Sequence, residues 1–117
     1  MEYYGEENYS GLAAGDTYYN LKFTGGGTYE LKNNLTVNND LILTNGVINS
    51  EANPVEVRNF NQSGGTFNAP STKMTVKGDF IRSSGTFNPG RGTVIFDGED
   101  QFIGGSTTFY NLKKDTF

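Results

Sequence analysis

A pattern of about 19–20 residues recurs along the chain, and a short fixed period constrains a fold more tightly than any single motif. Ser63-Gly64-Gly65-Thr66-Phe67-Asn68-Ala69 returns twenty residues later as Ser83-Ser84-Gly85-Thr86-Phe87-Asn88-Pro89, and the match continues without a gap. Lys73-Met74-Thr75-Val76-Lys77-Gly78 then falls on Thr93-Val94-Ile95-Phe96-Asp97-Gly98. Upstream, Asn45-Gly46-Val47-Ile48-Asn49-Ser50 matches at an offset of nineteen, with Val55-Glu56-Val57 in place of Met74-Thr75-Val76. A weaker copy, Gly27-Thr28-Tyr29-Glu30 with Leu35-Thr36-Val37-Asn38, precedes it, and Gly105-Ser106-Thr107-Thr108-Phe109 begins another.

Each copy holds a glycine turn, a short strand with one inward residue, a polar corner and a second alternating strand. A third short strand follows, as in Asp40-Leu41-Ile42-Leu43, Asn59-Phe60-Asn61-Gln62, Asp79-Phe80-Ile81-Arg82 and Gln101-Phe102-Ile103. Three strands and three corners in about twenty residues predict an all-β parallel β-helix, a β-solenoid of four to five coils. Sixteen Gly, nine Phe and seven Tyr suit such a turn-rich, β-favouring chain. Stacking predicts three internal ladders: Tyr29, Ile48, Phe67, Phe87; Leu35, Val55, Met74, Val94; and Val37, Val57, Val76, Phe96. Gly27, Gly46, Gly65 and Gly85 are expected at one corner in a left-handed or strained backbone. Asn49, Asn68 and Asn88 come into register as an amide ladder, read as structural, with a binding stripe as the alternative.

Composition closes several classes of function. Nine basic against thirteen acidic residues give a net charge of −4, which argues against a nucleic-acid partner. Without Cys or His the chain lacks disulfides, thiolate metal sites and the commonest general base, so no cofactor and no enzymatic activity are expected. No run of about 18 apolar residues is present, so membrane insertion is not expected either. The start, Met1-Glu2-Tyr3-Tyr4-Gly5-Glu6-Glu7, lacks the basic and apolar regions of a signal peptide, which fits an intracellular chain or an excised fragment given a starting Met.

The chain also matches itself at long range. Thr17-Tyr18-Tyr19-Asn20-Leu21-Lys22 corresponds to Thr108-Phe109-Tyr110-Asn111-Leu112-Lys113, an offset of ninety-one, so one unit is followed by the beginning of the next. Solenoid ends stay adhesive unless capped, and no cap is legible in Lys113-Lys114-Asp115-Thr116-Phe117. Partners are therefore expected to be copies of the chain or adjacent repeat modules, end to end. Residues 1–16 lie outside the pattern and read as a tail, a cap or a donor strand, with 17–117 as the solenoid domain. Tyr3, Tyr4 and Tyr9 in that segment, Tyr18, Tyr19, Phe109 and Tyr110 in the long repeat, and Phe117 are the expected self-association residues.

Tyr18-Tyr19-Asn20-Leu21, Asn34-Leu35-Thr36-Val37-Asn38-Asn39-Asp40-Leu41, Ser84-Gly85-Thr86-Phe87-Asn88 and Thr93-Val94-Ile95-Phe96-Asp97-Gly98 resemble repeat modules of very large secreted bacterial surface proteins. These are the adhesin-like and haemagglutinin-like β-solenoids, and the resemblance covers about residues 17–117. It implies an extracellular or cell-surface structural or adhesive role, with cell-surface glycan as a further possible partner.

Since parallel β-helices also include polysaccharide lyases and hydrolases, carboxylate groups need weighing. Asp97, Glu99 and Asp100 around Gly98 form the one weak calcium candidate, or an acid and base pair; turn formation at a coil corner is the simpler reading. Lysines and arginines are scattered. Phe60, Phe80 and Phe102 recur at about one coil, which suits core packing, or less simply an outward platform for sugars. Thr66 with Thr86 and Thr36 with Thr75 form no Thr-x-Thr array of the ice-binding kind.

Overall fold

Short runs of alternating apolar and polar residues favour strands that bury every second side chain. A computed structural model of the chain describes residues 2–3, 5, 7–10, 17–98, 101–105 and 107–114. In chain order they form β1 (Glu2–Tyr3), β2 (Asn8–Ser10), β3 (Thr17–Tyr18), β4 (Leu21–Phe23) and β5 (Thr28–Glu30). Next come β6 (Leu35–Leu43), β7 (Val47–Asn49), β8 (Val55–Gln62), β9 (Thr66–Asn68) and β10 (Lys73–Val76). The last are β11 (Phe80–Arg82), β12 (Thr86–Asn88), β13 (Thr93–Phe96), β14 (Ile103–Gly104) and β15 (Asn111–Lys114). Among the described residues there is no helix, and parallel strands stack as a β-solenoid of about 5 turns.

The turns build a rod of 40 × 26 × 26 Å. One side is a five-stranded sheet in the order β12-β9-β7-β5-β2, and a ten-stranded sheet wraps the other two. In β6 and β8 the two remaining strands of a coil fuse into one, and the register shift between Val37 and Asp40 marks the corner they turn. The fusion keeps backbone pairing almost unbroken where the sequence shows only polar corner residues.

All three expected ladders form. Tyr29 pairs with Ile48, Ile48 with Phe67 and Phe67 with Phe87. Leu35, Val55, Met74 and Val94 stack likewise, as do Val37, Val57, Val76 and Phe96, and every member of the three is buried. Two further inward files line the third side: Leu21, Leu41, Phe60 and Phe80, and Phe23, Leu43, Gln62 and Arg82.

The coil continues upstream of Thr17. Glu2 and Tyr3 pair with Lys22 and Phe23, and Tyr9 with Tyr29, each twenty residues apart. Tyr9 and Tyr29 are the one identical pair, so the periodicity is carried there by geometry and aromatic bulk rather than by a readable motif.

The glycine corner is left-handed at Gly46, Gly65, Gly85 and Gly105, with φ of 85°, 68°, 89° and 88°. Gly27 does not share the positive φ and Gly105 takes its place in the set. Gly27 has a different reason to be glycine: a Cβ there would stand 2.6 Å from the Glu7 carbonyl oxygen, because the neighbouring coil passes against it.

At another corner Ser50 is wholly buried, and its hydroxyl has no hydrogen-bond partner among the described residues. A buried unsatisfied hydroxyl costs about 1–3 kcal/mol. Ser50→Ala is therefore expected to raise stability by about 1 kcal/mol in a denaturant melt. A loss of that size instead would mean that the hydroxyl is bonded in solution.

Candidate functional site

Lateral surface and rod ends are the two places where such a fold can act. On the lateral surface, the amide ladder is in place: Asn88 Nδ2 donates to Asn68 Oδ1 at 2.6 Å, and Asn68 Nδ2 donates to Asn49 Oδ1. With their amides bonded from coil to coil, these side chains tie the five-stranded sheet together.

A second corner ladder runs through Asn20, Asp40, Asn59 and Asp79. Asn20 Oδ1 accepts from the Asp40 amide (3.1 Å), and Asn59 Nδ2 donates to Asp40 Oδ1 (2.9 Å). Asn59 Oδ1 accepts from the Asp79 amide (2.9 Å), and Asp79 Oδ1 from the Phe102 amide (3.0 Å). An Asx residue one position before each third strand was its sequence signal.

That last bond corrects the reading of Phe102. The chain between Phe96 and Ile103 carries extra residues, so Ile103, not Phe102, pairs with Phe80. Phe102 takes the place of Asp79 and is 60% exposed, while Phe60 and Phe80 are wholly buried in the core. Its ring lies over Gly104, where a Cβ would stand 2.8 Å from it.

Of the acidic candidates, Asp97 is half-buried with its amide bonded to the Val76 carbonyl; Glu99 and Asp100 lie outside the described residues. Among the described residues no group of three or more His, Cys, Asp or Glu could hold a metal ion. The same loop is organised by Gln101, whose Oε1 accepts from the Gly98 amide and whose Nε2 donates to the Val76 and Gly78 carbonyls. Among the described residues, recesses open on the outer faces. One, of about 380 Å³, is bordered by Asn34, Thr36, Glu56, Lys73 and Thr75, and another, of about 340 Å³, by Glu2, Asn20, Lys22, Asp40 and Ile42. Neither is lined by an aromatic ring.

The ends hold the aromatic candidates. At the N-terminal end Tyr3 and Tyr18 are buried, with their hydroxyls 2.6 Å apart. Tyr3 stacks on Phe23 at 5.4 Å, and Tyr9 stacks on Tyr29 at 4.7 Å. The Tyr29 hydroxyl accepts from the Gly5 amide at 3.2 Å, and burial raises its pKa above the ordinary phenol value. Tyr3 and Tyr18 thus have little surface to offer a partner, whereas Tyr19 is 68% exposed. Tyr4 lies outside the described residues.

At the C-terminal end Phe109 is half-buried against Phe80, Phe87 and Phe96, at 5.6, 6.0 and 6.1 Å. Tyr110 is 61% exposed, and Phe117 lies outside the described residues. The long repeat does not place its two copies alike. Tyr18 joins the file of Val37, Val57, Val76 and Phe96, but the sixth member of that file is Lys114, not Phe109. Ten residues separate Gly65 from Val76 and only three separate Gly105 from Phe109, too few to cross one side of the coil and reach the next.

Sequence reasoning missed the polar cluster beside Phe109. Gln62 is 1% exposed, and its Nε2 donates to the carbonyls of Gly64, Gly65 and Thr86. Arg82 donates from Nε to Gln62 Oε1 at 2.8 Å, from Nη1 to Thr107 Oγ1 and from Nη2 to the Gly85 carbonyl. Its guanidinium lies 5.7 Å from the Phe87 ring centre, and burial lowers its pKa. No protein-family model, curated protein or solved structure matches the chain.

Proposed function

We propose that this chain is an extracellular structural module, a rigid solenoid rod that is continued end to end by another copy of itself or by an adjacent module. The observation that carries the proposal is the state of Ile103 and Leu112. Both stand at inward ladder positions, next to Phe80 and Val94, yet they are 46% and 54% exposed. A core file that ends on a half-exposed aliphatic residue gains about 25 cal/mol per Å² of apolar surface when another coil covers it. The resemblance of residues 17–117 to secreted bacterial surface repeats supports the extracellular address and a role as surface stalk or fibre.

A second reading, a carbohydrate-binding adhesin module, is favoured by one observation: the exposed Phe102 ring lying over Gly104 of β14. Light scattering and negative-stain imaging across a concentration series test the first reading. Growth in mass and in rod length is expected, and a strictly monomeric chain at high concentration would eliminate self-assembly. Retention on a glycan array by such a monomer would shift the assignment to the second.

A further inference from the structure

We infer that Phe109 is a plug that gates the C-terminal end of the rod, so that the five-stranded sheet can be continued only once this ring withdraws. The inference rests on the end-to-end reading above and adds to it how that end is regulated.

Earlier coils show what the chain ordinarily does at this point. Gly46, Gly65 and Gly85 each turn the chain with a positive φ, and two residues later Ile48, Phe67 and Phe87 enter one inward file on β7, β9 and β12. Gly105 repeats the turn with a φ of 88°, and Thr107 is the residue two positions on. Here the strand is not laid down. Among the described residues the sheet ends at β12, which is paired on one side only, and Thr107, Thr108 and Phe109 join no strand. Thr107 Oγ1 instead accepts from Arg82 Nη1 at 3.1 Å, and Phe109 turns over the core.

The ring centre of Phe109 lies 5.6 Å from Phe80, 6.0 Å from Phe87 and 6.1 Å from Phe96. These rings come from β11, β12 and β13, one on each of the three sides of the coil, so Phe109 closes the core where the sides converge. A further strand on β12 would set its own inward side chain over Phe87, one inter-strand spacing of roughly 4.8 Å away. Phe109 already fills that place, so the plug and a continuing strand exclude each other.

The closure is looser than what it displaces. Phe109 is half-buried, and it is held by its ring contacts and by the Arg82–Thr107 bond two residues before it. A strand in its place would pair with β12 as β12 pairs with β9, through Thr86, Phe87 and Asn88. The end thus has two arrangements, plug in or strand added, and a coil arriving from a second copy selects the second. Only ends whose ring has withdrawn can be extended, so the concentration needed for assembly rises as the fraction of such ends falls.

The test uses the full chain with Phe109→Ser, which removes the plug, and with Thr107→Val, which removes the acceptor of Arg82 and keeps the ring. Circular dichroism is expected to show an unchanged β fold, because both residues lie outside the strands. Sedimentation velocity over a concentration series is expected to show Phe109→Ser assembling at a concentration roughly tenfold below that of the wild type, with Thr107→Val in between. Negative-stain images are expected to show rods of wild-type width. If Phe109→Ser loses its fold, the shift at Thr107→Val decides. A folded variant that assembles only at the wild-type concentration or above, or that gives amorphous aggregates in place of rods, would overturn the gate while leaving the end-to-end reading standing. Wild type and both variants all strictly monomeric would overturn the gate and the reading beneath it together.

Discussion

Phe67→Ala is expected to destabilise the chain by about 3–5 kcal/mol, the usual cost of emptying a buried phenylalanine site. Phe67 is wholly buried, stacks on Phe87 at 5.7 Å and tilts against Phe60 at 5.0 Å. Ile48 and Phe87 flank it in the ladder, and each is held in place by backbone pairing. The coil therefore cannot collapse into the cavity, which places the loss towards the upper part of the range. Urea melts of wild type and variant measure it, with Phe102→Ala as the exposed counterpart expected to change stability by less than about 0.5 kcal/mol. A loss below about 1 kcal/mol at Phe67, or equal losses at both positions, would refute the register of the aromatic ladder.

The second large effect is expected at Gln62. Its file runs Phe23, Leu43, Gln62, Arg82, so the interior of one side turns from apolar to polar towards the C-terminal end. Gln62→Leu has the shape accepted one coil earlier by Leu43. It nevertheless deprives the Gly64, Gly65 and Thr86 carbonyls of a donor and Arg82 Nε of its acceptor. Losing a buried polar partner costs about 1–3 kcal/mol, more where a charged group is involved. A loss of about 2–4 kcal/mol is expected, with a coupling energy to Arg82→Leu of about 0.5–3 kcal/mol in a double-mutant cycle. Strict additivity of the two changes would show that the Gln62–Arg82 bond carries no stability.

How much of this was legible in the sequence varies along the chain. Between Gly46 and Phe96 the period is nineteen to twenty residues, and the ladder of Ile48, Phe67 and Phe87 could be read directly. Near the ends the period fails as a guide. Glu2 and Lys22 share a file without sharing chemistry, because an outward position accepts any polar residue. Phe102 resembled Phe60 and Phe80 in spacing, but the added corner residues shifted it by one, and a shift of one residue turns a side chain from core to solvent. Phe109 and Tyr18 matched in sequence, yet only three residues lie between Gly105 and Phe109, so the later copy cannot take the earlier one's place.

The sequence by itself determined the fold class, the length of a coil and the members of three core ladders. These depend on periodicity, and a parallel stack converts periodicity into contact one coil at a time. Only the tertiary structure decided which aromatic residues are spent internally, as Tyr3 and Tyr18 are, and which remain on the surface, as Tyr19, Phe102 and Tyr110 do. It alone brought Gln62, Arg82 and Thr107 together and left Ile103 and Leu112 half-exposed at a strand edge. The physical reason is that a repeated residue is buried only where a coil stacks on it, so burial near the ends depends on how the chain crosses its last corners rather than on any residue repeated in the sequence.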